Sequence, residues 1–316
     1  MDLSICILTH NQPELLPLCV ASCFDEIKRE GITGEVIVID NASADRYPEK
    51  LRETYPQVRI IRNEQNLGFS AGNNIGIRAS QGRYILILND DAILQPGSLG
   101  LMLRRMESNP KIGAVGPKLL NPDGSVQKGF SNKRAVTALS LVSDILYLNG
   151  FFGRWGITRV VLTRMNDDEI SGEPAEVAGA CLLIKREALD QVGLFDETFY
   201  YSSEDSDLCY RLRGAGWKIL YLAEAHVTHY GSASFRRFDK FERIRIFYQS
   251  QMHFLKKHWS PLHYQCSRIL LASVFLVRAP LAFIRRAGLR QENLEEARRS
   301  AAIAIRMARW LIMECQ

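Results

Sequence analysis

YILILNDDA, residues 84–92, sets an almost unbroken apolar run directly against two adjacent carboxylates. A run this short and continuous reads as a strand buried on both faces, the habit of a parallel sheet covered by helices. The same pattern recurs on either side. LSICIL (3–8) ends in THNQPE, EVIVID (35–40) ends in NASAD, and VRIIRN (58–63) runs into NLGFSAGNN. Helix-like segments separate these runs, the first over residues 14–30. The βα alternation argues for a doubly wound α/β domain. In such sheets ligands sit beyond the carboxyl ends of the strands, and the polar residues fall there. Thr9, His10 and Asn11 follow the first run, Asp40 and Asn41 the second, Asn66 and Gly68 the third, Asn89, Asp90 and Asp91 the fourth. One such end would be a helix cap or a turn. Four along one edge point to a site.

Downstream, IGAVGPKLL is followed by the turn signal NPDG. Residues 130–175 show no clear period and are expected to cover the acceptor side. EVAGACLLIKREAL (176–189) reads as a strand running into a helix. Glu204, Asp205 and Asp207 precede an amphipathic helix that ends at Gly214–Gly216. WKILYL reads as a strand with His226 and His229 after it, and from about residue 238 the chain reads as helical.

The chain has 316 residues, 24% charged and 47% hydrophobic, which excludes disorder as its main state. The 22 Gly and 11 Pro show no period, which excludes a collagen-like chain. Seven Cys without a CxxC favour reduced thiols in a cytosol over a disulfide framework. The start, MDLSICILTHNQPE, lacks the basic region of a signal peptide. The strongest apolar run, ILLASVFLVRAPLAFI (269–284), is sixteen residues long and carries Arg278 and Pro280. A bilayer span needs about 20 mostly apolar residues, so an interfacial or buried place is expected. The net charge of +5 is uneven. Residues 234–290 hold twelve Lys or Arg against Asp239 and Glu242, a net of +10 that leaves the rest at −5. A basic amphipathic stretch beside an acidic body suggests an anionic surface as partner, the plain alternative being a solvated helical face. No nucleic-acid motif accompanies the charge.

Two adjacent carboxylates at a strand end repel unless a cation sits there. Hard oxygen ligands at Asp90 and Asp91 suit Mg²⁺ or Mn²⁺ bound partly through substrate phosphates; the plain reading is a turn or a cap before the helix starting near Pro96. Glu204 and Asp205 are capping and dipole-compensating residues on the plain reading, and a general base at a helix start on the functional one. His229 alone is a packed histidine; beside a metal at Asp91 it becomes a ligand. NLGFSAGNNIG could bring backbone N–H groups to a phosphate or ribose. No Walker A, GxSxG or Ser-His-Asp pattern is present.

Taken in order, SICILTHNQ, VIVIDNASAD, NEQNLGFSAGNNIGI, YILILNDDA, VGPKLLNPDGSVQ, GACLLIKREAL, VGLFDETFYYSSEDSDLCYRLRGAGW and AHVTHYGSAS resemble the family 2 inverting glycosyltransferases of GT-A fold, and within them the rhamnosyltransferase-like branch. The segments span residues 4–234. The resemblance implies an α/β GT-A domain over 1–235, its nucleotide-binding half about 1–118 and its acceptor half about 119–235. A basic helical region then covers 236–316. It implies that Thr9 and Asn11 line the nucleotide pocket and that Asp40 accepts a hydrogen bond from the base. Asn66, Gly68 and Asn74 would shape the pocket wall. Asn89, Asp90 and Asp91 stand for the DxD element, Asp91 holding the divalent cation and His229 completing its shell. Asp205 of the ED pair would be the catalytic base. Asn89 stands where the family pattern has Asp, which removes one negative charge from the metal site.

The expected reaction is inverting transfer from a nucleotide-sugar donor, dTDP-rhamnose favoured over UDP- or GDP-linked sugars, to a lipid-linked saccharide acceptor in surface polysaccharide synthesis. A peripheral place on the inner face of the plasma membrane and a possible homo-oligomer complete the expectation. A nucleotidyltransferase should carry a Gly-rich triphosphate loop with Lys or Arg near the N-terminus, which THNQPE lacks. A non-catalytic relative should have lost Asp91, Asp205 and His229, and all three are present.

Overall fold

A computed structural model describes residues 1–44, 47–128, 130–133, 135–138, 140–142, 168–200, 202–231, 239–284 and 291–315. Most of the 130–175 segment, and Arg236, Arg237, Arg285, Arg286 and Arg290 of the basic window, lie outside the described residues. The chain forms two compact units, one of residues 1–134 with 165–232 and one of 135–164 with 233–316.

The first unit runs β1 (Leu3–Thr9), α1 (Leu16–Glu30), β2 (Gly34–Asp40), α2 (Tyr47–Thr54), β3 (Arg59–Arg62), α3 (Gly68–Ala79), β4 (Tyr84–Asn89), β5 (Ala92–Leu94), α4 (Ser98–Glu107), β6 (Ile112–Leu120), β7 (Cys181–Lys185), α5 (Arg186–Val192), α6 (Glu204–Gly214) and β8 (Lys218–His229). The strands make one sheet in the order β3-β2-β1-β4-β7-β6-β8-β5. The pairs β2·β3, β1·β2, β1·β4 and β6·β8 are parallel, while β7 and β5 run against their neighbours. The sheet is thus mostly parallel, as expected, with two reversed strands.

The continuous apolar runs supply both faces. Ile5, Ile7, Val36, Val38, Leu86 and Leu88 pack with α1 and α4 residues such as Cys19, Val20, Leu99 and Met102. The alternate residues Cys6, Ile37, Ile39, Ile85 and Ile87 pack on the other face with Ile77, Ala188, Leu189, Leu208 and Leu212 of α3, α5 and α6. This alternation places every second side chain on each face.

One expectation is corrected here. His226 and His229 do not follow the strand that begins near Trp217; they lie within β8. From Ala223 to His229 buried and more exposed residues alternate, the pattern of a strand with unlike faces. A register shift at Pro117/Lys118 lets this second half of β8 keep its pairing with β6, and Ala92 pairs with His229.

The second unit contains α7 (Lys240–His258), α8 (Pro261–Ile284) and α9 (Gln291–Met313). Asp239 caps α7 by accepting the Glu242 N–H at 2.9 Å. The apolar run 269–284 is helical throughout, Pro280 included. Arg268 donates to the carbonyls of Leu311 and Ile312 at 3.0 and 2.9 Å, satisfying the end of α9. Leu271 and Phe275 are buried, whereas Leu262, Ile269, Leu276 and Val277 of α8 are exposed. Among the described residues no helix is long and apolar enough to cross a membrane. All seven cysteines are free thiols.

Candidate active site

The carboxyl ends of β1, β2 and β4 are in register: Thr9 pairs with Asp40 and Leu8 with Asn89. Beyond them the loops are joined by side-chain amides. Asn41 accepts from the Asn63 amide and the Leu67 N–H, both at 3.0 Å, and donates to Asn66 Oδ1 at 2.9 Å and the Gly68 carbonyl at 3.2 Å. Asn66 Oδ1 also takes the Gly68 N–H at 3.0 Å. Asn11, at φ 56, receives the Ala44 N–H at 2.7 Å and donates its own N–H to Ser43 Oγ at 2.9 Å. Gly68 opens α3 at φ +81, and a Cβ there would stand 2.7 Å from the Tyr200 ring. These contacts hold a rigid cradle at the sheet edge.

Two residues expected at the nucleotide pocket bond to neighbouring protein groups. Asp40 is fully buried; Arg62 donates to its Oδ2 at 2.6 Å and the Ser43 N–H to its Oδ1 at 2.9 Å. Asp40 therefore anchors the cradle from beneath and presents no open carboxylate. Asn74 is also buried, and its amide is spent on the Phe195 carbonyl, the Phe195 N–H and Glu197. Three bonds to one neighbouring segment make Asn74 a scaffold link between α3 and residues 195–197.

At the end of β4, His10 donates its N–H to Asp90 Oδ2 at 3.3 Å. Burial first, and then the like charge of Asp91, push the Asp90 carboxyl up to about 7, with the Thr9 hydroxyl and the His10 N–H pulling the other way. Asp91 Oδ1 lies 3.3 Å from His229 Nε2, and it finds no hydrogen-bond donor among the described residues.

The His229 tautomer follows from its neighbour. Gln127 Nε2 donates to the His229 carbonyl at 2.6 Å. A carbonyl can only accept, so the amide orientation is fixed. Gln127 Oε1 then faces Nδ1 at 2.9 Å, which places the ring proton on Nδ1. Nε2 is left as a lone pair aimed at the unsatisfied Asp91 oxygen, with the Asn89 amide 3.4 Å away. Two lone-pair donors facing each other, one oriented from behind by an amide, suit a divalent cation. Among the described residues no group of three or more His, Cys, Asp or Glu gathers as a metal cluster. A cation would hold two protein ligands and draw the rest from substrate oxygens or water.

Asp205 sits one residue into α6. It accepts the Gly179 N–H at 3.2 Å and the Ser206 N–H at 2.8 Å. The next residue, Ala180, accepts the Asn89 N–H at 2.9 Å. Consecutive residues therefore connect the proposed base to the strand end that carries Asp91. The Phe130 ring lies 5.6 Å from the His229 ring, and Lys133 Nζ lies 5.3 Å from the Phe130 centroid. Asp91, His229 and Asp205, far apart in sequence, come to one edge of the sheet. Sequence reasoning missed Gln127, Arg62, Phe130 and Lys133. A depression of about 420 Å³ lined by Arg83, Tyr84, Lys185 and Arg186 lies at the opposite ends of β4 and β7 and holds none of these residues.

Residues 4–193 match the family described as Glycosyl transferase family 2. The chain belongs to that family. It is 31% identical over 281 residues, 83% of this chain and 89% of the relative, to the N-acetylglucosaminyl-diphospho-decaprenol L-rhamnosyltransferase of Mycobacterium tuberculosis. Among solved structures it resembles the mannosyltransferase PcManGT of Pyrobaculum calidifontis in complex with GDP-Man and Mn²⁺, with a TM-score of 0.57 at 16% identity, covering 99% of this chain and 87% of that one. It also resembles GalNAc-T7 with UDP, GalNAc and Mn²⁺, with a TM-score of 0.60 at 16% identity, covering 99% of this chain and 56% of that one. The family 2 chain is a glycosyltransferase, and its fold is the GT-A fold with C-terminal helices.

Proposed function

We propose that this family 2 enzyme moves a sugar, rhamnose favoured, from a nucleoside diphosphate donor to a lipid-linked saccharide acceptor with inversion, in surface polysaccharide synthesis. The observation that carries the reading is the junction at Gly179–Ala180, which joins the Asp205 carboxylate to the end of β4, where Asp91 faces His229 of β8. The name of the mycobacterial relative supports rhamnose and a lipid-linked acceptor. The nucleotide and Mn²⁺ in the two structural relatives support a nucleotide-sugar donor and a divalent cation, Mg²⁺ or Mn²⁺.

In this reading Asp205 takes the acceptor hydroxyl proton while the hydroxyl oxygen attacks the anomeric carbon. The bond from that carbon to the diphosphate breaks on the opposite side, and its electron pair leaves with the diphosphate. Asp91 and His229 would hold the cation, which supplies Lewis-acid stabilisation of the leaving charge. The cradle of Thr9, Asn11, Asn41, Asn66 and Gly68 receives the nucleotide, and Asp40 with Arg62 sets its floor. The basic C-terminal unit carries the enzyme on an anionic membrane surface.

The test is a screen of dTDP-, UDP- and GDP-sugars with Mn²⁺, read by thermal shift and by donor-dependent transfer. One donor should raise the melting temperature, and Asp205→Asn should keep that shift while losing about 10²–10⁴-fold in turnover. Near-normal turnover in Asp205→Asn would remove the base assignment.

A further inference from the structure

Glu204 opens α6 immediately before Asp205, and the two carboxyls have unlike surroundings. Asp205 is partly exposed and accepts two backbone N–H bonds. Glu204 is 6% exposed, and its Oε2 has no hydrogen-bond partner among the described residues. Its own backbone N–H bonds to the carboxyl, but a buried carboxylate with one oxygen unpartnered is still costly as an anion and far less so as an acid. The charges facing it are Asp205 on its own helix and Lys133 on the segment after β6, which pairs with Glu176. Lys133 Nζ lies 4.0 Å from Glu176 Oε1, so its charge is shared with a second carboxyl.

We propose that Glu204 is a positioning residue that stays uncharged at neutral pH, so that it adds no second negative charge beside Asp205. The inference rests on the transfer reading and adds a role to it. Burial, followed by the charge of Asp205, pushes the Glu204 carboxyl up to about 8, with its own backbone N–H and then Lys133 opposing. Environments that drive two neighbouring carboxyls apart divide them into an acid and a base. A single charge leaves Asp205 free to accept the acceptor proton. A second would repel the anionic diphosphate.

Glu204→Gln keeps the shape and fixes the neutral state. The unfolded chain releases the Glu204 proton near 4.5 and the folded chain near 8, so the wild type loses stability relative to the variant as pH rises between those values. The melting temperature of E204Q should therefore gain on wild type steadily from about pH 5 to about pH 8 and then level off. A gap that is flat or narrows with pH would show an ordinary carboxylate and overturn the proposal. Should E204Q not fold, infrared difference spectra of the wild type serve instead. A protonated carboxyl band lost on going alkaline, and still lost in Asp90→Asn, supports the proposal, and its absence overturns it. In the transfer reaction the donor KM should rise above about pH 8 in wild type and not in E204Q; a rise in both overturns the role. If neither protein transfers sugar while the stability gap grows as expected, the transfer reading fails and the charge assignment stands.

Discussion

The His229 imidazole is committed to one tautomer by a single amide. Gln127 binds both the backbone carbonyl and Nδ1 of that residue, so Nε2 is held as an acceptor. Gln127→Ala should weaken Mn²⁺ binding by about 10–100-fold, the usual effect of losing an orienting partner behind a ligand; calorimetric titration with Mn²⁺ measures it. An affinity unchanged from wild type would mean that the amide orients nothing of consequence. The Asp40–Arg62 pair makes a second case. Removing Arg62 leaves a fully buried carboxylate with only the Ser43 N–H, so Arg62→Ala should cost about 3–5 kcal/mol in urea unfolding. Asp91, Asp205 and His229 stood out in the sequence because acids and imidazoles clustered at strand and helix ends are uncommon, and the fold brings Asp91 and His229 within 3.3 Å of each other. Gln127 and Arg62 did not, since a Gln after a turn and an Arg in a short strand are common solvated residues until their partners are known.

At the scale of elements, the buried strands were readable because each of β1, β2 and β4 is apolar on both faces. The second half of β8 was missed for the opposite reason. Its signal is the alternation of Ala223, Ala225, Val227 and His229 with Glu224, His226 and Thr228, and the apolar run before it ends at Leu222. Asn74 drew notice in the sequence as a polar residue on a helix beside a Gly-rich loop, and its amide bonds to residues 195–197. Asn74→Ala should leave the Phe195 N–H and carbonyl buried without partners, at about 1–3 kcal/mol for each group. Thermal unfolding should register it, with no change in the donor-induced shift of the remaining folded protein. Gly68→Ala forces a β-carbon against the Tyr200 ring at a positive φ and should lower stability by about 1–3 kcal/mol.

At the scale of the molecule, the second unit presents an outward apolar stripe on α8, Leu262, Ile269, Leu276 and Val277, with Arg268 and Arg278 on the same helix. Under the proposed membrane reading, this helix would bind through buried area plus attraction to anionic lipid. The chain should float with anionic vesicles at low salt, and the double change Leu276→Ser with Val277→Ser should reduce that recovery several-fold. Equal recovery of wild type and variant would separate the stripe from membrane binding, and indifference to salt would do the same for the cations. The cradle at the sheet edge follows another rule. Asn41 knits β1, β2 and the start of α3 through neutral amides that offer mobile ions nothing to neutralise, and the Asp40 carboxylate beneath is too buried for salt to reach. Salt strong enough to abolish flotation with vesicles should therefore leave the nucleotide seat in shape, so that vesicle binding and the donor-induced thermal shift respond to different ionic strengths.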